Sequence, residues 1–149
     1  HIYSVAQHTL LVEEIGRRRA GHVDRRLGLA LMLHDAPEYV IGDMISPFKA
    51  ALGLDYKAFE KRLMAAIHMR FGLAPASPEK LEIFIKKSDR MAAYLEATQL
   101  AGFSVPEAEK FFGRPKGLDG EGSQKFHRLK PLAPNEAADL FLKKFRQLA

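Results

Sequence analysis

The chain has 149 residues, of which 47% are hydrophobic, and it carries no internal repeat, so we expect a single domain over residues 1–149 with one sizeable core. It has no cysteine and no run near the ~18 apolar residues of a membrane span, which excludes a disulfide scaffold, argues against a membrane partner and favours a cytoplasmic location. The formal charge of +5 comes from 23 basic and 18 acidic residues that do not form one cluster, so we do not expect nucleic acid as a partner.

Helical periodicity runs along the whole chain, and no segment shows sustained strand alternation, so the sequence predicts an all-α fold. In chain order, helices are predicted over residues 3–20, 22–34, 36–41, 55–71, 77–100, 105–112 and from 135 onward, with loop and short helix over 42–53. Asp55, Ser77 and Asn135 are predicted as N-caps of the helices that they begin. Residues 103–133 are expected to be mainly irregular around the short helix that they contain.

Polar residues occur at positions where helical periodicity points inward. They are His8, the adjacent pair His34 and Asp35, and Asp89. A buried carboxylate is costly without a partner, so either a cation or a full set of hydrogen bonds must satisfy it. Imidazole nitrogens and carboxylate oxygens together form a ligand set for one divalent metal ion. With no thiolate available, Mn, Fe, Co, Ni or Zn suits such a set better than Ca.

Each of these residues also has an ordinary interpretation. A single histidine on an apolar face, such as His8, is more often a satisfied core residue than a ligand. Asp35 and Glu38 have the spacing of a helix capping box, so Asp35 can be an N-cap only. Asp89 is harder to explain, because helix interiors disfavour Asp and no basic residue is expected on its inward face, although Lys86 is close in the chain. The occurrence of all four together favours the metal site.

The segments that carry these residues resemble the HD superfamily of metal-dependent phosphohydrolases, and most closely its bacterial 5′-deoxynucleotidase-like branch. The matching stretches lie within residues 4–100 and read Val-Ala-Gln-His-Thr-Leu (5–10), Leu-His-Asp-Ala-Pro-Glu (33–38), Gly-Asp-Met-Ile-Ser-Pro-Phe-Lys (42–49) and Lys-Ser-Asp (87–89). The resemblance implies a single-domain helical bundle of the HD-domain type, with the metal site between helices.

The resemblance also implies roles for three further residues. Glu38, one helical turn past Asp35, is the expected general acid/base, with the capping box as the alternative. Asp43 is expected to contact the substrate sugar or the metal's water and to be part of the catalytic set; an ordinary turn residue is the alternative. Lys49 is expected to supply a cation to the substrate phosphate, and a solvated lysine is the alternative. His68 is expected to be a core or surface histidine, because one more histidine is too few for a second metal site.

The sequence therefore predicts a phosphohydrolase that acts on a small phosphorylated substrate, the phosphate monoester of a nucleotide. One alternative is a hydrolase of guanosine tetraphosphate-type alarmones, although members of that branch usually have Glu-Asp where this chain has Glu38-Tyr39. Another is a non-catalytic, nucleotide-binding regulatory HD domain, against which the intact Glu38 and Asp43 argue. Gln7 replaces a Glu that is frequent in nucleotidases, so we expect no carboxylate behind His8. In nucleotidases of this branch an Arg and a Trp shortly before the first metal-binding histidine contact the nucleotide, and this chain has no counterpart of them before His8. A further segment before His1 and a homodimer are left open.

Overall fold

The computed structural model describes residues 3–22, 24–42 and 56–149. Within these ranges every regular element is a helix and no strand occurs, which confirms the all-α prediction. The helices are α1 (Val5–Ala20), α2 (Arg25–Met32), α3 (Ala36–Ile41), α4 (Tyr56–Arg70), α5 (Glu79–Gln99), α6 (Val105–Phe112), α7 (Gln124–His127) and α8 (Pro134–Leu148). No helix in the described ranges is long and apolar enough to cross a bilayer.

The ends of α1 follow from its sequence. The hydroxyl of Ser4 accepts a hydrogen bond from the backbone N–H of Gln7 and so caps the first turn. At the other end, Gly21 adopts a left-handed conformation with φ of 73°, which glycine tolerates without strain. The helix ends at the predicted residue 20 and begins at Val5, two residues later than predicted, whereas α3 matches its predicted range.

Other boundaries differ from the sequence prediction. Helix α2 is shorter than predicted, because residues 33–35 form a turn and the helix ends at Met32. The extended backbone before α5 includes Pro78, which takes the N-cap position that we predicted for Ser77. Ala133 is the N-cap of α8, and the predicted cap Asn135 lies within the first turn after Pro134. The predicted cap Asp55 and the segment 43–55 lie outside the described residues.

The buried residues form two clusters on either side of α2. One cluster packs α1 and α5 around Leu31, and the other packs α2 against the C-terminal helix α8 around Leu29 and Met32. At Gly16, α1 comes so close to α2 that a Cβ atom would lie 2.5 Å from Leu31 Cδ1. Because α1 and α2 also carry or precede candidate site residues, this tight packing fixes the distance between those residues.

The segment over 103–133 is mainly irregular outside its short helices, as predicted, and it is packed firmly against α1. It contains α6 and also α7, which is too short for its periodicity to be recognised. Phe126 is only 1% exposed and belongs to the core around α1. The Arg18 guanidinium donates to the carbonyls of Asp119 and Glu121, at 2.5 and 2.8 Å. The segment is therefore part of the packed structure.

Candidate functional site

The candidate metal ligands come from separate parts of the fold and converge. His8 lies in the first turns of α1, His34 and Asp35 lie in the turn between α2 and α3, and Asp89 lies in α5. Consecutive residues of a regular helix diverge by about 100°, so the turn is what allows His34 and Asp35 to face one point. The sequence analysis predicts a break between the helices over 22–34 and 36–41, and the structure places this break at residues 33–35.

The distances between these side chains suit a single ion. His8 Nε2 lies 3.4 Å from Asp89 Oδ1 and 3.6 Å from Asp35 Oδ2, and His34 Nε2 lies 3.0 Å from the same Asp35 oxygen. Single donor atoms of His8, His34 and Asp89 all lie within 4.8 Å of one another. Donor atoms about 2.1 Å from one metal ion are separated by about 3–4 Å, so the observed spacing fits.

His34 gives the clearest indication that the cluster suits a cation. Its Nδ1 donates to the carbonyl oxygen of Leu31 at 2.8 Å, and because a carbonyl only accepts, Nδ1 carries the hydrogen. The buried Nε2 has no hydrogen-bond partner among the residues that the structure describes, and its contact with Asp35 lacks hydrogen-bond geometry. In the neutral ring, a nitrogen lone pair therefore faces a carboxylate oxygen, an arrangement that a metal ion between them would satisfy.

His8 is oriented by a carboxylate that the sequence analysis did not anticipate. Its Nδ1 lies 2.8 Å from Glu96 Oε1, so Nδ1 donates to Glu96 and Nε2 faces Asp35 and Asp89. A carboxylate behind a histidine fixes its ring and increases its basicity as a ligand. The expectation that this carboxylate is absent because of Gln7 was wrong, since Glu96 supplies it from α5. Glu96 lies seven residues after Asp89, and this spacing on one helix face was the available signal.

Gln7 has a structural role instead. Its side-chain amide donates to the carbonyl of Lys130 at 2.7 Å and accepts from the backbone N–H of Leu132 at 2.9 Å. These two bonds fasten the segment before α8 to the turn of α1 that carries His8.

The electrostatics of the cluster favour a cation. Burial lowers the pKa of His8, but its hydrogen bonds to Asp89 and Glu96 and the charges of Glu96 and Asp35 outweigh burial and raise that pKa to about 10. Burial raises the pKa of Asp89, yet the contacts with His8 and Lys86 hold it well below its usual range. The carboxylates thus hold a positive charge at their centre, either as a proton on His8 or as a metal ion.

Lys86 corrects a second expectation. Its Nζ lies 2.5 Å from Asp89 Oδ2, so Asp89 does have a basic partner, three residues earlier on α5. This ion pair explains one carboxylate oxygen only, because Oδ1 is the oxygen that faces His8. The Lys86 side chain is 72% exposed, and exposed ion pairs contribute little to stability.

Asp35 is not used as a helix cap. It occupies the N-cap position of α3, but its side chain makes no capping hydrogen bond, so its carboxylate is directed to His34 and His8. Glu38 lies in the first turn of α3, half-buried, and lines the same cavity as His34 and Asp35. The other predicted catalytic and substrate-binding residues, Asp43 and Lys49, lie outside the described residues.

Two cavities meet at the candidate ligands. The inner lobe, of about 240 Å³, extends from His34, Asp35 and Asp89 to His68. The outer lobe, of about 380 Å³, is lined by Glu38 together with His34 and Asp35. Because His34, Asp35, Met64 and Lys86 line both lobes, a group bound at the ligands is reached from both sides.

His68 and Lys86 were not predicted as site residues. His68 is 6% exposed, which agrees with the expected core histidine, but it also lines the inner lobe. Lys86 lines both lobes, so it is a described cation where the sequence analysis proposed only Lys49. Its position three residues before Asp89 was the available signal.

Comparison with known proteins places the chain among distant relatives of a nucleotidase, and no family model matches it. It is 51% identical over 115 residues to an uncharacterized protein of Rhodobacter capsulatus, and the match covers 77% of this chain and 59% of that protein. It is 27% identical over 149 residues to the uncharacterized protein YfdR of Escherichia coli, 100% of this chain and 73% of that protein. It is 29% identical over 119 residues to the 5′-deoxynucleotidase YfbR of Salmonella newport, 64% of this chain and 60% of that protein.

The chain thus spans about three fifths of the length of the Rhodobacter protein and of YfbR. YfdR and YfbR belong to the HD-domain family, and the similarity of this chain to them is distant. It agrees with the resemblance recognised in the sequence motifs.

The Glu96–His8 contact predicts a graded effect on metal affinity. Glu96→Ala removes the acceptor behind His8 and should weaken Mn²⁺ or Co²⁺ binding by roughly 10–100-fold, as is typical for such outer contacts. Glu96→Gln keeps an acceptor oxygen and should retain most of the affinity. Calorimetric titration of chelator-treated protein measures both.

Glu79→Gln, an exposed change on the same helix, is the matched control and should bind like the wild type. Equal affinities of the wild type and Glu96→Ala would show that Glu96 does not support a metal ligand.

Proposed function

We propose that the protein is a metal-dependent phosphohydrolase that hydrolyses the phosphate monoester of a nucleotide. The ligands of its single divalent ion are His8, His34, Asp35 and Asp89. The observation that carries the proposal is their convergence at the junction of two cavities, with His34 Nε2 buried and unpartnered among the described residues. The distant similarity to the 5′-deoxynucleotidase YfbR supports the substrate class.

The residues present fit such an ion, and when bound it supplies an acidified water and offsets charge on the phosphoryl oxygens. Glu38 stands beside the ligands in the outer lobe, where it can take a proton from water or return one to a leaving oxygen. Lys86 lies at the junction of the lobes and places a positive charge beside the phosphate position. Asp43 remains the predicted contact to the substrate sugar or to the metal's water, and Lys49 remains the predicted contact to the phosphate.

The alarmone-hydrolase alternative fits less well. Its usual acidic residue after Glu38 is replaced by Tyr39, whose hydroxyl forms a 2.9 Å hydrogen bond with that of Thr9. The ring of Tyr39 packs edge-on against Phe141 at 5.6 Å, and burial raises the pKa of its phenol to about 12. Residue 39 therefore joins helices and offers no carboxylate. The non-catalytic alternative is disfavoured because Glu38 lines the outer lobe.

A substrate panel tests the proposed reaction. With Mn²⁺, Co²⁺ or a similar ion, the protein should release inorganic phosphate from nucleoside or deoxynucleoside monophosphates and leave duplex DNA intact. One metal ion with few basic side chains beside it suits a terminal phosphate better than a diphosphate bridge, because a diphosphate usually requires more positive groups. Phosphate release is measured for each substrate with each metal in turn. Activity confined to guanosine tetraphosphate, or none while metal is demonstrably bound, would refute the proposal.

The role of Glu38 makes a separate prediction. Glu38→Gln should lower turnover by about 10²–10⁴-fold, the usual contribution of positioned proton transfer, while metal content and melting temperature stay unchanged. Steady-state kinetics, elemental analysis and a thermal melt measure the three quantities.

Glu136→Gln is the matched control, because Glu136 occupies the same position in the first turn of α8, is exposed, and is remote from the cavity. It should leave turnover unchanged. If Glu38→Gln instead keeps its activity and melts at a lower temperature, Glu38 is a helix-capping residue.

A further inference from the structure

We propose that the inner lobe binds the base of the nucleotide, and that His68 and Glu82 select bases with an exocyclic amino group over thymine and uracil. The proposal rests on the proposed function and adds the identity of the preferred substrates. The preferred bases are adenine, cytosine and guanine.

The shape of the inner lobe suits one flat ring system. Ala30, Met64 and Ile85 give it apolar walls, and the candidate metal ligands close one end. Its volume of about 240 Å³ lies below the ~300–1,000 Å³ of typical ligand pockets, so it has room for a base and not for a second phosphorylated group. A phosphate at the ligands would thus direct the base toward His68.

His68 is a rigid acceptor in this lobe. Its ring Nδ1 donates to the carbonyl of Ala74 at 3.0 Å, so in the neutral ring Nε2 is left with the lone pair. Its own carbonyl accepts from the backbone N–H of Leu73 at 2.8 Å and of Phe71 at 3.1 Å. The histidine is therefore fixed on both sides by the chain that follows α4. A fixed polar group discriminates between ligands because it does not reorient to suit a wrong one.

Glu82 adds acceptor atoms at the mouth of the lobe. It lies in the first turn of α5, is exposed, and has no ion-pair partner among the described residues, so its carboxylate is available to a ligand. A carboxylate accepts hydrogen bonds and cannot donate them when ionised. Ser77, also in the lobe, can do either. Lys86 lines the lobe as well, but its ammonium group is paired with Asp89 at the end formed by the candidate metal ligands.

Acceptors in the lobe require donors on the base. Adenine, cytosine and guanine each present an exocyclic amino group as a donor. Both exocyclic oxygens of thymine and uracil are carbonyl acceptors, and the one N–H donor on their pairing edge lies between these two oxygens. A carbonyl oxygen opposite Glu82 is repelled by the carboxylate and leaves it unpaired. We expect the amino-bearing bases to be favoured about tenfold or more, the factor that one well-formed base contact typically provides.

Glu82→Gln tests the proposal, because the new amide can donate to a thymine or uracil carbonyl. The ratio of kcat/KM for deoxyguanosine, deoxyadenosine and deoxycytidine monophosphates to that for the thymidine and deoxyuridine monophosphates is measured. It should be about ten or more in the wild type and fall toward one in Glu82→Gln. Glu79→Gln, with the same charge change in the same helical turn but outside the lobe, should keep the wild-type ratio. His68→Gln should also lower this ratio. Partial unfolding of a variant lowers kcat/KM for all substrates equally, so the ratio does not depend on the folded fraction.

Binding of the nucleosides, measured by calorimetry, is a second readout that depends neither on turnover nor on metal. Deoxyguanosine should bind more tightly than thymidine to the wild type, and with similar affinity to Glu82→Gln. If the wild type hydrolyses all five monophosphates at equal rates, or if Glu82→Gln keeps the wild-type preference, base selection by the lobe is refuted. The proposed phosphohydrolase activity is not affected by either result. If metal-loaded protein hydrolyses no mononucleotide, the proposed function fails. The nucleoside affinities then test whether the lobe selects bases. Equal affinities for deoxyguanosine and thymidine, or no detectable binding, would refute base selection.

Discussion

The feature on which the site depends is a concentration of negative charge between helices. Asp35, Asp89 and Glu96 surround the imidazoles of His8 and His34, and each histidine has its Nδ1 hydrogen committed to another acceptor. Burying such carboxylates is costly unless a positive charge lies among them. These carboxylates raise the pKa of His8 to about 10, and His34 Nε2 finds no hydrogen-bond partner among the described residues. A divalent ion would satisfy both histidines at once.

The packing of the helices holds these groups at the distance of a coordination sphere. The close approach at Gly16 brings α1 against α2, and the Thr9–Tyr39 hydrogen bond ties the helix of His8 to α3. Arg19 joins α1 to α5, because its guanidinium donates to Ser88, the neighbour of Asp89, at 2.7 Å. Each contact lies within one residue of a candidate ligand or on the helix that precedes it. The packing of the helices therefore sets the distances between the candidate ligands.

Much of this arrangement could be predicted from the sequence, because helical periodicity decides which face a residue occupies. It placed His8 and Asp89 inward, and the predicted break between the helices over 22–34 and 36–41 is where His34 and Asp35 face one point. Periodicity does not decide which partner a long side chain reaches, so Lys86 beside Asp89 and Glu96 behind His8 were missed. The N-cap is the last residue before a helix whose ψ angle is still extended, and periodicity does not determine that angle. Pro78 and Ala133, with ψ of 143° and 145°, therefore replaced the predicted caps.

The most direct measurement is a calorimetric Mn²⁺ titration of chelator-treated protein, paired with thermal melts at each point. We expect one ion per chain and a higher melting temperature when the ion is bound, because only the folded chain assembles the ligands. We also expect that His34→Gln loses this binding, while His22→Gln, which alters an exposed histidine remote from the site, keeps it. No binding, an unchanged melting temperature, or a His34→Gln protein that binds like the wild type would contradict the metal centre.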